Sequence, residues 1–201
     1  MTTLHAVSKF TFVLILLMSS MAVHAASVLP LGLERLLSDA EAVFNGRCIS
    51  NQVERDVYTN MVVTYTTFEV IDVVKGQVSQ THTIKQIGGY LQDSNVHMRW
   101  PGIPKFSVGE EYVIFLPPKS NVGFSSPVGL EQGKFSVLSG DAGKEVTNGK
   151  DFQQLTKNVA SKNLAVGVAS RINKKNADKL LRKQVSLTDF METLRNMESE
   201  K

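Results

Sequence analysis

Between Gly88 and Glu110 the chain carries five side chains suited to capturing another molecule: Tyr90, His97, Arg99, Trp100 and Phe106. Aromatic residues and Arg dominate recognition hot spots because they bring large, stiff contact surfaces and fixed donors. The segment is long for a connection in a compact domain, and connections beyond about 12–15 residues are often functional. A second duty stays open for Trp100 and Phe106: plugging an open end of the domain while Pro101, Gly102, Pro104 and Gly109 shape the turns. Nucleophilic chemistry would fall to Cys48, the single cysteine, with His82 or His97 as base, since a thiol needs a neighbouring base to become a thiolate. Cys48 stands between Arg47 and Ile49 in a strand-forming run, where a small buried hydrophobe is expected instead. His82 and His97 are far apart in sequence with no clustered third ligand, and neither HExxH nor CxxC occurs, so no metal site is expected. Asp72, Asp93, Glu110, Glu111 and Glu131 have no spacing that forces an acid to face a base. Glu110, at the turn into a strand, is expected to serve local backbone donors. With no nucleophile elbow, Walker or dinucleotide pattern, the chain reads as non-enzymatic and without a cofactor.

The elements that must hold this segment are mostly extended. Val43–Glu54 mixes β-branched and aromatic residues around Gly46, which marks a bulge or bend. Met61–Lys75 is dense in Val, Ile, Thr, Tyr and Phe and longer than a flat sheet needs, which suits a curled one. Thr81–Ile87 stops at Gly88-Gly89, and Glu111–Leu116 stops at Pro117-Pro118. The latter is apolar on both faces after Glu111, which places it mid-fold. Val128–Leu138 is a fifth strand, followed by the turn Ser139-Gly140-Asp141. Leu29–Ala42 is expected to hold a short helix with Leu31, Leu36 and Leu37 on one face. Helical spacing returns at Asp151–Val159 and again after Ser186, where Leu187, Phe190, Met191 and Leu194 share a face.

The N-terminus has the pattern of an export signal. Lys9 precedes the apolar run 10–18, which falls short of the about 20 residues a spanning helix needs. Val23-His24-Ala25 offers the small residues a signal peptidase requires, so cleavage is expected between Ala25 and Ala26, with no stable membrane insertion afterwards. The mature chain is expected in the periplasm or outside the cell. Loss of Lys9 lowers the formal charge from +3 to +2, too weak to imply nucleic acid. The cation-rich stretch 171–183 reads as a solvated helix or linker. One cysteine permits no intrachain disulfide, so stability rests on burial.

The order of elements, with Ala40-Glu41-Ala42-Val43-Phe44-Asn45-Gly46-Arg47, Val73-Val74-Lys75-Gly76, Gly88-Gly89 and Gly102 to Tyr112 leading into Val113–Leu116, resembles a group of exported bacterial domains without an assigned activity. The Val43-to-Arg47 strand and the strand ending Val73-Val74-Lys75-Gly76 are similar at fold level to the barrel of netrin-like domains, which include tissue inhibitors of metalloproteinases. Those inhibitors grip the protease zinc through an N-terminal cysteine. The expected mature start here is Ala26, so that mechanism does not carry over. The expectation is a mainly β chain: a five-stranded OB-like (netrin-like) barrel over residues 26–148, a short N-terminal helix, and a helical extension over 149–201. Its expected function is a non-catalytic exported binding module that meets a protein or envelope-glycan partner through residues 88–110. The competing classes are an envelope-associated hydrolase and a protease-inhibitory or assembly protein.

Overall fold

The computed structural model describes residues 29–140, 142–173 and 183–200. The expected leader at 1–25 with its expected Ala25–Ala26 cleavage point, Asp141 of the expected turn, and 174–182 of the cation-rich stretch lie outside the described residues. Among the described residues no helix is long and apolar enough to cross a membrane.

The five expected strands form, four of them with small shifts at their ends and the fifth starting six residues late: β1 (Ala42–Arg55), β2 (Val62–Lys75), β3 (Thr81–Ile87), β6 (Glu111–Leu116) and β7 (Lys134–Gly140). Four more join them: β4 (Gly89–Leu91), β5 (Val96–Met98), β8 (Gly143–Thr147) and β9 (Val185–Ser186). The main sheet is antiparallel with order β3-β2-β1-β6-β7-β8-β9, and β4 and β5 form a separate hairpin. β6 is the middle strand and every one of its residues is buried. A run apolar on both faces has that place because each face then meets protein, not water. The sheet is open, without a closed five-stranded barrel: β7 gives its outer edge to β8, and β8 pairs in turn with β9. The fifth strand also starts later than its composition suggests, because Leu130–Gly133 coils into a 3-10 turn ahead of Lys134.

Alternation along β1 and β6 splits the core in two. Val43, Val113 and Phe115 face one cluster, while Phe44, Tyr112, Ile114 and Leu116 face the other. The first cluster lies under helices: α1 (Leu33–Asp39), α2 (Phe152–Leu155), α3 (Val166–Asn173) and α4 (Leu187–Glu198). α1 is shorter than expected, capped at Gly32 and ended by the extended Ala40, and it buries Leu33, Leu36 and Leu37. α2 is one turn, started by the Asp151 side chain accepting from Gln153 N–H. α4 begins where the Ser186 hydroxyl accepts from Asp189 N–H, and it buries Phe190, Met191 and Leu194. Phe135 of β7 is the hub, with ring centroids 5.6 Å from Phe115, 6.4 Å from Phe152 and 4.8 Å from Phe190. The C-terminal segment thus supplies both a strand to the sheet and two rings to the same core as α1.

The other face is concave. Register irregularities in the β1–β2 ladder at Val43/Phe44, Asn45/Gly46 and Cys48/Ser50 bend both long strands, since each bulge adds local twist. The bend brings β3 towards the β6–β7 connection, where Ser125 N–H donates to Lys85 O at 3.0 Å. Lys85 also reaches Asp56 at 2.5 Å and donates to Val122 O at 2.8 Å, which ties the β1–β2 turn, β3 and residues 117–125 together.

Candidate functional site

The concave face is apolar at one end and polar at the other. Cys48, Phe68, Ile84 and Phe106 fill the apolar end. Beyond them, neighbouring strands present Asn51 of β1, Thr64 and Thr66 of β2 and Gln86 of β3. Asn51 is three residues from Cys48 and would turn to the opposite face of a regular strand. Ile49 has no partner in the ladder, where Cys48 pairs with Phe68 and Ser50 with Thr67, and this extra residue returns Asn51 to the concave side. There the Asn51 amide donates to Phe106 O at 2.7 Å and accepts from the Thr66 hydroxyl at 2.7 Å. The Thr64 hydroxyl donates to Gly88 O at 2.7 Å.

Gly88 and Gly89 let the wall rise directly from this floor. Both have positive φ, +96° and +146°, a region closed to most side chains. A Cβ at Gly89 would stand 2.6 Å from Val53 Cγ1 and 2.8 Å from Thr64 Oγ1. The chain then makes the β4–β5 hairpin, whose turn is held by the Tyr90 hydroxyl donating to Asn95 Oδ1 at 3.0 Å. Tyr90 and His97 pair across the hairpin, ring edge to ring face at 5.8 Å. Arg99 Nε–H donates to His97 Nε2 at 3.0 Å. No carboxylate among the described residues pairs with the Arg99 guanidinium.

The five residues singled out from the sequence all line one cavity of about 380 Å³, but they differ in burial. Tyr90 is 46% exposed and Trp100 53%, so neither is a plug. Phe106 is 6% exposed and packs edge to face on Phe68 at 5.0 Å and Tyr112 at 5.1 Å. Its place is fixed further by the Tyr112 hydroxyl, which accepts from Ser107 N–H at 3.0 Å, and by Lys134 Nζ, 5.7 Å from both rings. Phe106 therefore belongs to the core and closes the inner end of the cavity. Arg99, His97 and Lys105 are exposed at the wall, and no Asp or Glu lines the space. Gln86 is only 3% exposed, and its Nε2 has no hydrogen-bond partner among the described residues. A buried amide left unpaired costs about 1–3 kcal/mol, a cost the folded chain carries at Gln86.

Other candidate groups stay apart. Cys48 is fully buried, and burial pushes its thiol pKa up, against thiolate formation. His82 lies on the far side of Phe68 from Cys48, so about 10 Å of sheet separates them. His82 packs on Phe44, and its pKa is lowered first by burial and then by Lys119. Among the described residues no group of three His, Cys, Asp or Glu side chains gathers to hold a metal. Glu111, not Glu110, is the engaged carboxylate of its pair. It accepts from Asn45 Nδ2 at 2.9 Å and from Lys144 Nζ at 2.6 Å, on the helix-covered side of the sheet.

No protein-family model matches the chain, and no curated protein sequence matches it. The floor residues Asn51, Thr64, Thr66 and Gln86 escaped sequence reading because threonine in a strand signals only β preference. The one local hint is Gln86, a polar side chain on the same face as Ile84 just before Gly88-Gly89.

Proposed function

We propose that the chain is a non-catalytic binding module, exported to the periplasm or beyond, that takes part of a partner molecule into the cavity walled by residues 88–106. The carrying observation is the pairing of half-exposed Tyr90 and Trp100 with a polar, three-strand floor around a 380 Å³ space. Small-molecule sites commonly measure about 300–1,000 Å³ and combine apolar walls with a few placed polar groups. The curled half of the sheet is read here as a partly open OB-type barrel. The bent 14-residue strands β1 and β2 and the Ser125-to-Lys85 link support that reading. Export rests on the pattern of the first 25 residues.

The test is capture of partner from envelope extract by the mature chain. Replacing Tyr90, Arg99 and Trp100 together with alanine is expected to abolish capture and leave the melting temperature almost unmoved. Retained capture by a folded triple variant overturns the site.

A further inference from the structure

Resting on the binding-module reading, we infer that the cavity takes an amphiphilic anion, an apolar moiety ending in a carboxylate or phosphate, with the charge held at the rim by Arg99 and Lys105. The floor is polar in composition, yet its hydroxyl hydrogens are spent inside the protein. The Thr64 hydroxyl donates to Gly88 O and the Thr66 hydroxyl to Asn51 Oδ1, while Asn51 Nδ2 donates to Phe106 O. Gln86 Nε2 is sealed off from the space. A charged group lodged on this floor would give up its water and find few donors in return, which is costly. Ile87, Met98, Ile103, Pro104 and Phe106 also line the space, and all are apolar. The part of a ligand that enters is therefore apolar, as in most cavities of this size.

The rim carries charge of one sign. Arg99 and Lys105 line the space, no Asp or Glu does, and neither cation is ion-paired among the described residues. Arg99 is also positioned: its Nε–H is given to His97 Nε2 at 3.0 Å, which leaves the terminal N–H groups of the guanidinium to take an oxyanion in a forked pair. Positive groups beside a low-dielectric space draw anions from solution and repel cations. A sugar fits less well, because its hydroxyls need several free partners together and the floor keeps its own committed. An extended peptide would add a strand to a sheet edge, and the β3 edge next to the floor already receives Ser125 N–H at Lys85 O.

Trp100, the sole tryptophan, lines the cavity, so its emission reports on it. A chain of residues 26–201 is titrated with octanoate, octyl phosphate, octanol, octyltrimethylammonium and acetate, each below the concentration at which it self-associates. Calorimetry gives a second readout. Saturable binding of octanoate or octyl phosphate at least ten-fold tighter than that of octanol or acetate is expected, with no saturable binding of the cation. The tighter of the two anions assigns the head group. Arg99→Gln combined with Lys105→Gln should bring the anions down to the affinity of octanol. Both side chains are exposed, so this variant is expected to fold, and its melting temperature checks that. Ile103→Ser should instead weaken octanoate and octanol alike. Octanol or the cation binding as tightly as octanoate, acetate matching it, or anion binding unmoved in the double variant overturns the inference and leaves the cavity as a binding site. No response to any probe also overturns it. The binding-module reading falls separately, if the Tyr90, Arg99 and Trp100 alanine variant still captures envelope material.

Discussion

Phe106 and Trp100 lie six residues apart in one segment, yet truncating them should have opposite consequences. Removing a buried phenylalanine to alanine costs about 3–5 kcal/mol, depending on how far the surroundings collapse. Phe106 has two edge-to-face partners, but its remaining side opens on the cavity, where water can enter the vacated space. The lower end of the range applies, about 3 kcal/mol for Phe106→Ala. In a chain of this size that is a fall of about 6–12 °C in melting temperature. Trp100, more than half exposed, behaves as a surface side chain, so Trp100→Ala should cost no more than about 0.5 kcal/mol. Thermal melts followed by far-ultraviolet circular dichroism, with urea midpoints alongside, measure both on a chain of residues 26–201. A Trp100→Ala loss equal to that of Phe106→Ala would show the 99–103 turn to be core. A Phe106→Ala loss under about 1 kcal/mol would remove the packing assigned to its ring.

Four further outcomes follow from the packing. The hydrogen bond from Lys85 holds the Asp56 carboxyl well below its ordinary 3.8, at about 2, helped by Thr59. Because the folded pKa is depressed, this carboxylate contributes fully above its unfolded value, and the contribution is lost as pH falls from about 4 toward 2. Urea midpoints measured across that window should fall less steeply with acid for Asp56→Asn than for wild type, and an unchanged acid limb refutes the pairing. At neutral pH the same variant leaves the buried Lys85 without its counter-charge, so it should destabilise far more than breaking the exposed Arg35–Asp39 pair. Truncation after Asn148 removes β9 and the Phe152 and Phe190 rings that cover Phe135. The remaining chain should lose cooperative melting, and a sharp, native-like transition would contradict the shared core. The Cys48 thiol, fully buried with its pKa raised, should react with an aromatic disulfide reagent on the order of 100-fold or more slowly than in urea, since reaction waits on opening. Fast native labelling would place it at the surface.

Strand positions were largely written in local composition. Val, Ile, Thr and aromatic runs ended by Gly or Pro gave β1, β2, β3 and β6 within a residue or two of their ends, because those side chains favour an extended, half-buried backbone. The face of α4 was legible for the same kind of reason: Phe190, Met191 and Leu194 recur at helical spacing and are buried together. β8 and β9 were not, since Gly143–Thr147 and Val185–Ser186 are short and gain their order from pairing with each other and with β7. The added strands also keep the sheet open, a matter of which edge is occupied, and no local pattern encodes that.

The sequence by itself determined which of the longer stretches extend, that the middle strand β6 is apolar on both faces, and that the aromatic and cationic side chains crowd into residues 88–110. Only the tertiary structure decided what they do there. The Ile49 bulge turns Asn51 inward, the β2–β3 register sets Gln86 beside Thr64, and the curl of the sheet buries Phe106 while leaving Trp100 in the open. The physical reason is that side-chain direction in a sheet has a period of two, so one extra residue, or one pairing shift, exchanges core for cavity without altering the composition of the strand.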